Sequence, residues 1–155
     1  MRREELVLQP RDGRLFDIWT WSQLVGSSLG PLPVELHVGM DGEPTEPMLA
    51  RAEGLAAYAS RHGEAILDVI FGHYRRAEEK NWLAFWGVPA GLTRSQVLGY
   101  ARALALVVVE DLTATVFADP RWDPEHKLDI TVAGGEITEV DGEPFRLEEG
   151  ILRSS

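Results

Sequence analysis

The sequence contains no cysteine in its 155 residues. That absence removes disulfides, thiolate nucleophiles, iron–sulfur ligands and every zinc site built on cysteine. Positive charge is also scarce: 15 Lys+Arg stand against 25 Asp+Glu, a net charge of −10. A protein that grips a nucleic-acid backbone needs a Lys/Arg surface to displace counterions, so no nucleic-acid partner is expected. Long apolar runs are missing too. The longest, Ala103 to Val109, is seven residues, where a membrane-spanning helix takes about 20. Behind the charged start Met1-Arg2-Arg3-Glu4-Glu5, the run Leu6-Val7-Leu8 stops at Gln9-Pro10, short of the roughly 7–15 apolar residues of a signal peptide. The resulting expectation is a cytoplasmic protein with no membrane partner. No Walker A or G-x-G-x-x-G loop occurs, and no H-x-x-x-H or H-E-x-x-H pair, so no cofactor is indicated.

What is present is ample apolar material. At 45% hydrophobic residues, a chain of this length buries about 70% of its unfolded surface as one domain, which excludes wholesale disorder. Asp12-Gly13 is a hairpin-type turn between Leu6-Val7-Leu8 and the strand-like segment Arg14 to Trp21. Val34 to Val38 alternates apolar and polar residues, the period of a strand with one buried face, and Asp41-Gly42 turns the chain again. From Glu46 the period becomes helical: Leu49, Ala52, Leu55, Ala56, Ala59, then Ile66, Leu67, Ile70, Phe71, Tyr74. His62-Gly63 interrupts that stripe, predicting two helices broken there or one kinked helix. Residues 81–92 form an apolar connector. Thr93-Arg94-Ser95-Gln96 fits a capping box and predicts a short helix that extends through Ala101. The consecutive valines before Glu110 favour a strand over a continued helix. Alternation at Leu112 to Phe117 and Leu128 to Val132, the Gly134-Gly135 turn into Glu136 to Val140, and the Asp141-Gly142 turn before Pro144-Phe145 complete a C-terminal meander. Strands at both ends of a helical middle make one α+β domain over residues 1–155.

Four features invite a chemical reading. Gly26-Ser27-Ser28-Leu29-Gly30 spells G-x-S-x-G, but Pro31-Leu32-Pro33 follows, so the helix that a nucleophile elbow requires cannot begin. It reads as a small-residue loop. His62 and His73, eleven residues apart, nominally share a helix face; at 1.5 Å per residue they lie about 16 Å apart, too far for one metal ion, and suit a helix surface. The stretch Asp119 to His126 gathers acids and a histidine around Trp122, flanked by Pro120 and Pro124. It lacks the order and central Gly of an EF-hand. It reads as a turn with Trp122 packed and His126 hydrogen-bonded, and as a candidate contact or acid–base site. The aromatics Trp82, Phe85 and Trp86 read either as core cover or as an interface hot spot. Charge is uneven as well: residues 119–149 hold ten acids and three bases, −7 of the net −10. Such a field steers basic partners; it also solubilises and blunts strand edges.

Trp122-Asp123-Pro124-Glu125-His126-Lys127-Leu128-Asp129-Ile130, followed by the Gly134-Gly135-Glu136-Ile137 hairpin, resembles a bacterial domain family of unknown function. Its members share a W-D-x-E-H-G-L-type turn before a terminal hairpin, behind paired strands and a helical middle; Lys127 stands where that pattern has Gly. Some members are encoded near polymorphic toxins and look like immunity or accessory proteins. The resemblance implies no catalytic residues, and a non-enzymatic or uncharacterised role.

The leading expectation is therefore a protein-binding module, immunity-like in its resemblance. Its acidic C-terminal third would meet a basic protein, with partner-binding residues Trp122, Asp123, Glu125, His126, Trp82 and Trp86. Two alternatives stand beside it. One is a small-ligand or hydrolytic site around Asp123, Glu125 and His126. The other is a structural homodimer joined through the aromatic connector.

Overall fold

The N-terminal hairpin pairs β1 (Leu6–Leu8) with β2 (Phe16–Trp21) in antiparallel register, Leu6 opposite Trp21. At its tip Asp12 and Gly13 both take positive φ, 47° and 84°, as a tight turn of this hand demands. Arg11 then braces the loop: its guanidinium donates to both Asp17 oxygens and to Asp41. Those bonds, with a further one from the Asp41 amide, hold the Asp17 carboxyl below the usual carboxylate range. These elements belong to a computed structural model that describes residues 1–141, together with the backbone of strands Phe145–Glu148 and Ile151–Ser154.

Strand β3 (Val34–Gly39) follows the alternation of its sequence, with Val34, Leu36 and Val38 buried on one face and Glu35 and His37 on the other. Helix α1 (Glu46–Glu79) starts where the Thr45 side chain accepts a hydrogen bond from the Met48 amide at 3.3 Å. Glu46 lies in its first turn, where the helix dipole favours an acid. It is one helix, kinked where His62 leaves helical geometry at φ −122°, ψ 30°. The neighbouring Gly63 accommodates an approaching loop: a Cβ there would sit 2.4 Å from Ser28 Oγ and 3.3 Å from the Ser28 amide nitrogen. The sequence interruption at residues 62–63 thus marks a close contact between helix and loop.

The chain returns through two short 3-10 turns, Ala84–Trp86 and Gln96–Tyr100. The capping box forms in part, since the Thr93 amide donates to Gln96 Oε1 at 2.8 Å. The helix expected to run through Ala101 is corrected to five residues of 3-10 turn. Ala101 is already paired with Pro120, so strand pairing ends the turn at Tyr100.

Strand β4 (Ala101–Val109) lies parallel to β3, Val34 beside Leu106 and His37 beside Val109, with α1 as the crossover between them. The antiparallel meander β5 (Ala114–Pro120), β6 (Leu128–Ala133) and β7 (Glu136–Asp141) completes a seven-stranded mixed sheet in the order β1 to β7. Gly134 and Gly135, at φ 61° and 77°, make the β6–β7 turn. Strands β8 (Phe145–Glu148) and β9 (Ile151–Ser154) pair separately; the turn expected at Asp141-Gly142 and the Pro144 position lie outside the described residues. The fold is α+β, with N-terminal strands, a central helix and a C-terminal antiparallel meander.

One face of the sheet (Leu36, Leu106, Val116, Leu128, Ile130) packs on the buried stripe of α1 (Met48, Leu55, Ile66, Ile70, Tyr74). Each such fully buried side chain contributes about 1.5–3 kcal/mol of apolar burial. Among the described residues no helix is long and apolar enough to cross a membrane.

Candidate functional site

The loop between β5 and β6 is drawn against α1 by Trp122. That side chain is fully buried, donates from Nε1 to His73 Nδ1 at 2.8 Å, and meets Tyr74 edge-on at 5.6 Å. Pro120 and Pro124 bracket the turn, and the amides of Arg121, Asp123 and His126 donate to the carbonyls of Tyr100, Pro120 and Asp123. Asp123 is only 4% exposed. Its carboxylate accepts from His126 Nδ1 at 2.9 and 3.1 Å, which fixes the imidazole at the surface. The sequence reading of Trp122 as packed and His126 as hydrogen-bonded matches this geometry. Trp122 itself offers no surface, so a direct partner contact by that ring is corrected to a supporting place beneath the loop.

The facing wall is the connector after α1. Leu83 and Val88 are buried and anchor it, while Trp82 and Trp86 remain half-buried. Phe85 is 79% exposed and packs edge-on against Trp86 at 4.8 Å. Tyr74 serves both walls: besides touching Trp122, its hydroxyl donates to the Pro89 carbonyl at 2.8 Å and accepts from the Leu92 amide at 3.0 Å.

Between the walls lies a cleft of about 230 Å³ lined by Trp82, Phe85, Trp86, Asp123, Glu125 and His126. The structure thus brings together five of the six partner-binding residues expected from the sequence, from two segments some forty positions apart, and adds Phe85 to them. The supporting roles of His73 and Tyr74 carry no sequence signal, because Tyr74 reads as an ordinary position of a helical stripe and His73 as a helix-surface residue.

The arrangement suits a cation. Aromatic faces are electron-rich, and an ammonium or guanidinium over such a ring is attracted by about 0.5–2 kcal/mol. Lys80 already places its Nζ 5.0 Å from the Trp82 ring centroid. Among the described residues Glu125 forms no ion pair, whereas Asp119 is neutralised by Arg102 and Lys127. The acidic tract is therefore uneven, and its unpaired charge includes the cleft.

The other candidates fall elsewhere. His73 is buried, which corrects its expected place on a helix surface; His62 lies at the kink, its ring 5.0 Å from Tyr58. Among the described residues no three His, Asp or Glu side chains gather closely enough to hold a metal ion. In the 26–30 loop, Ser27 Oγ donates to the Gly30 carbonyl and accepts from the Leu29 amide, and no helix follows. Comparison of the chain with family models, curated proteins and solved structures finds no match.

Proposed function

We propose that this chain is a non-enzymatic protein-binding module that seats a lysine or arginine side chain of a basic partner between Trp82, Phe85 and Trp86 on one wall and Asp123, Glu125 and His126 on the other. The observation that carries the reading is the meeting of three aromatic rings with an unpaired carboxylate in one cleft. The net charge of −10 supports it, since a negative protein steers a basic one and raises its association rate. In the immunity-like version suggested by the W-D-x-E-H-type turn, the basic partner is a toxin encoded beside this chain.

The test is a titration of the protein with an arginine-rich peptide and with its neutral citrulline counterpart, at low and high salt. The arginine peptide should bind and weaken with salt, and both Trp86→Ala and Glu125→Gln should lower its affinity about tenfold, the scale of one well-made cation contact. Equal binding of the citrulline peptide, or indifference to both substitutions, overturns the reading.

A second reading, a hydrolytic site, draws on one observation: a nearly buried Asp123 orients His126, as a carboxylate orients a general base. The cleft lining offers no serine, threonine or lysine nucleophile, which leaves water or the Glu125 carboxylate to attack. Turnover of an ester or amide that disappears in His126→Gln, with peptide binding intact, would favour that reading.

A further inference from the structure

The face of the sheet turned away from α1 forms a second concave surface. Val107 and Ala105 are only 8% and 5% exposed, yet neither belongs to the core beneath the helix. Their same-face neighbours shield them: Phe117 lies opposite Ala105, and Glu35 lies beside Val107 in the parallel register. The result is a groove of about 460 Å³ with an apolar floor, extending past His37 and Val109 toward Phe16, Glu110 and Asp111. It follows β4 from Ala103 to Val109, roughly 20 Å at the rise of a strand, which matches about six residues of extended chain.

The charge around this groove is mainly negative, with Arg14 over the Phe16 ring at its far end. Glu35, Asp129, Glu110 and Asp111 border it, and its lining contains no lysine or arginine. Glu35 accepts from His37 Nε2 at 2.9 Å, and Glu110 and Asp111 accept from the Gly39 and Thr113 amides. The Asp129 carboxylate has no ion-pair or hydrogen-bond partner among the described residues, and it stands opposite another acid, Asp141. Burial, then the Asp141 charge, pushes its carboxyl above the usual range. A second copy of the chain docking through the same face would bring acid against acid here, and nucleic acids and anionic membranes carry the wrong sign. The complementary occupant is basic and partly apolar.

We infer that this groove seats an extended segment of a partner protein that carries both apolar and lysine or arginine side chains, the apolar ones on Ala105, Val107 and Phe117 and the cations beside Glu35 and Asp129. The surface is separate from the Trp82–His126 cleft and stands without it.

The experiment titrates isotope-labelled protein with a synthetic peptide of alternating leucine and lysine, followed by amide shifts, with serine–lysine and leucine–glutamate peptides as controls. Shifts should centre on β3, β4 and β5, and the leucine–lysine peptide should bind at least about tenfold more tightly than either control, as expected when apolar burial and charge act together. The surface double substitution Glu35→Gln with Asp129→Asn should weaken it about tenfold, and Trp86→Ala should leave it unchanged. Thermal melts confirm that both variants fold. Equal binding of the serine–lysine peptide overturns the inference, as do shifts centred on Trp82 and Glu125 or a double variant within about twofold of the parent. Because Trp86→Ala probes the cleft alone, failure of the groove and failure of the cleft give different results.

Discussion

Asp129 illustrates how one residue's surroundings set a measurable property of the whole protein. It is half-buried on β6 and paired in register with Asp141 on β7, and like charges directly opposite destabilise a sheet. Its folded pKa is raised above 3.8, so between 3.8 and that folded value the native state holds more protons than the unfolded chain. Stability from this group is therefore present in acid and lost as pH rises through that window. Asp129→Asn should raise the Tm at neutral pH and flatten the pH profile above 3.8; an unchanged profile in a denaturation series would refute this. At this scale the sequence was informative about residue type and neighbourhood. The Asp119–His126 stretch announced a packed turn, while the Trp82–Trp86 run left core cover and interface open; the structure half-buries Trp82 and Trp86 and exposes Phe85. What it could not convey was the pairing of the two, because the Trp122–His73 hydrogen bond that fixes the loop joins positions remote in sequence and looks like nothing in particular in either segment.

Elements were legible wherever periodicity was strong, as along β3, β6 and α1. The Gly63 interruption was visible, but its reason was tertiary, the nearness of Ser28. Gly63→Ala offers helix propensity worth about 1 kcal/mol and meets a contact that a Cβ does not fit. We expect a net loss of about 1 kcal/mol in urea titrations, because crowding in a packed site outweighs the propensity gain. In a Ser28→Ala background, where the hydroxyl is gone, the same change should be neutral or favourable. Additivity of the two substitutions would exclude the Ser28 contact as the source of the loss. The Thr93 capping box shows the opposite case: its local signal formed, yet strand pairing at Ala101 cut the helix short. Local propensity proposes an element, and the sheet decides its length.

For the whole molecule, the order of periodic segments indicated the α+β class and composition the sign of the surface, while the parallel junction of β3 and β4 had no local signature, since a strand's alternation is the same whichever direction its neighbour runs. Net charge carries its own prediction. At −10 the compact state repels itself, so added sodium chloride should raise the Tm as it screens that repulsion. A Tm that falls with moderate salt would mean that ion pairs such as Arg11–Asp17 outweigh the repulsion.

The β3–β4 junction also orders assembly in time. Strands β1 to β3 close by neighbouring hairpins, and so do β4 to β7, whereas Val34 meets Leu106 only after all of α1 and its connector have been laid across. Closing so long a loop is the entropically slow event. On loop-closure entropy, the seam down the middle of the sheet is therefore expected to be the last part to zip as the chain folds.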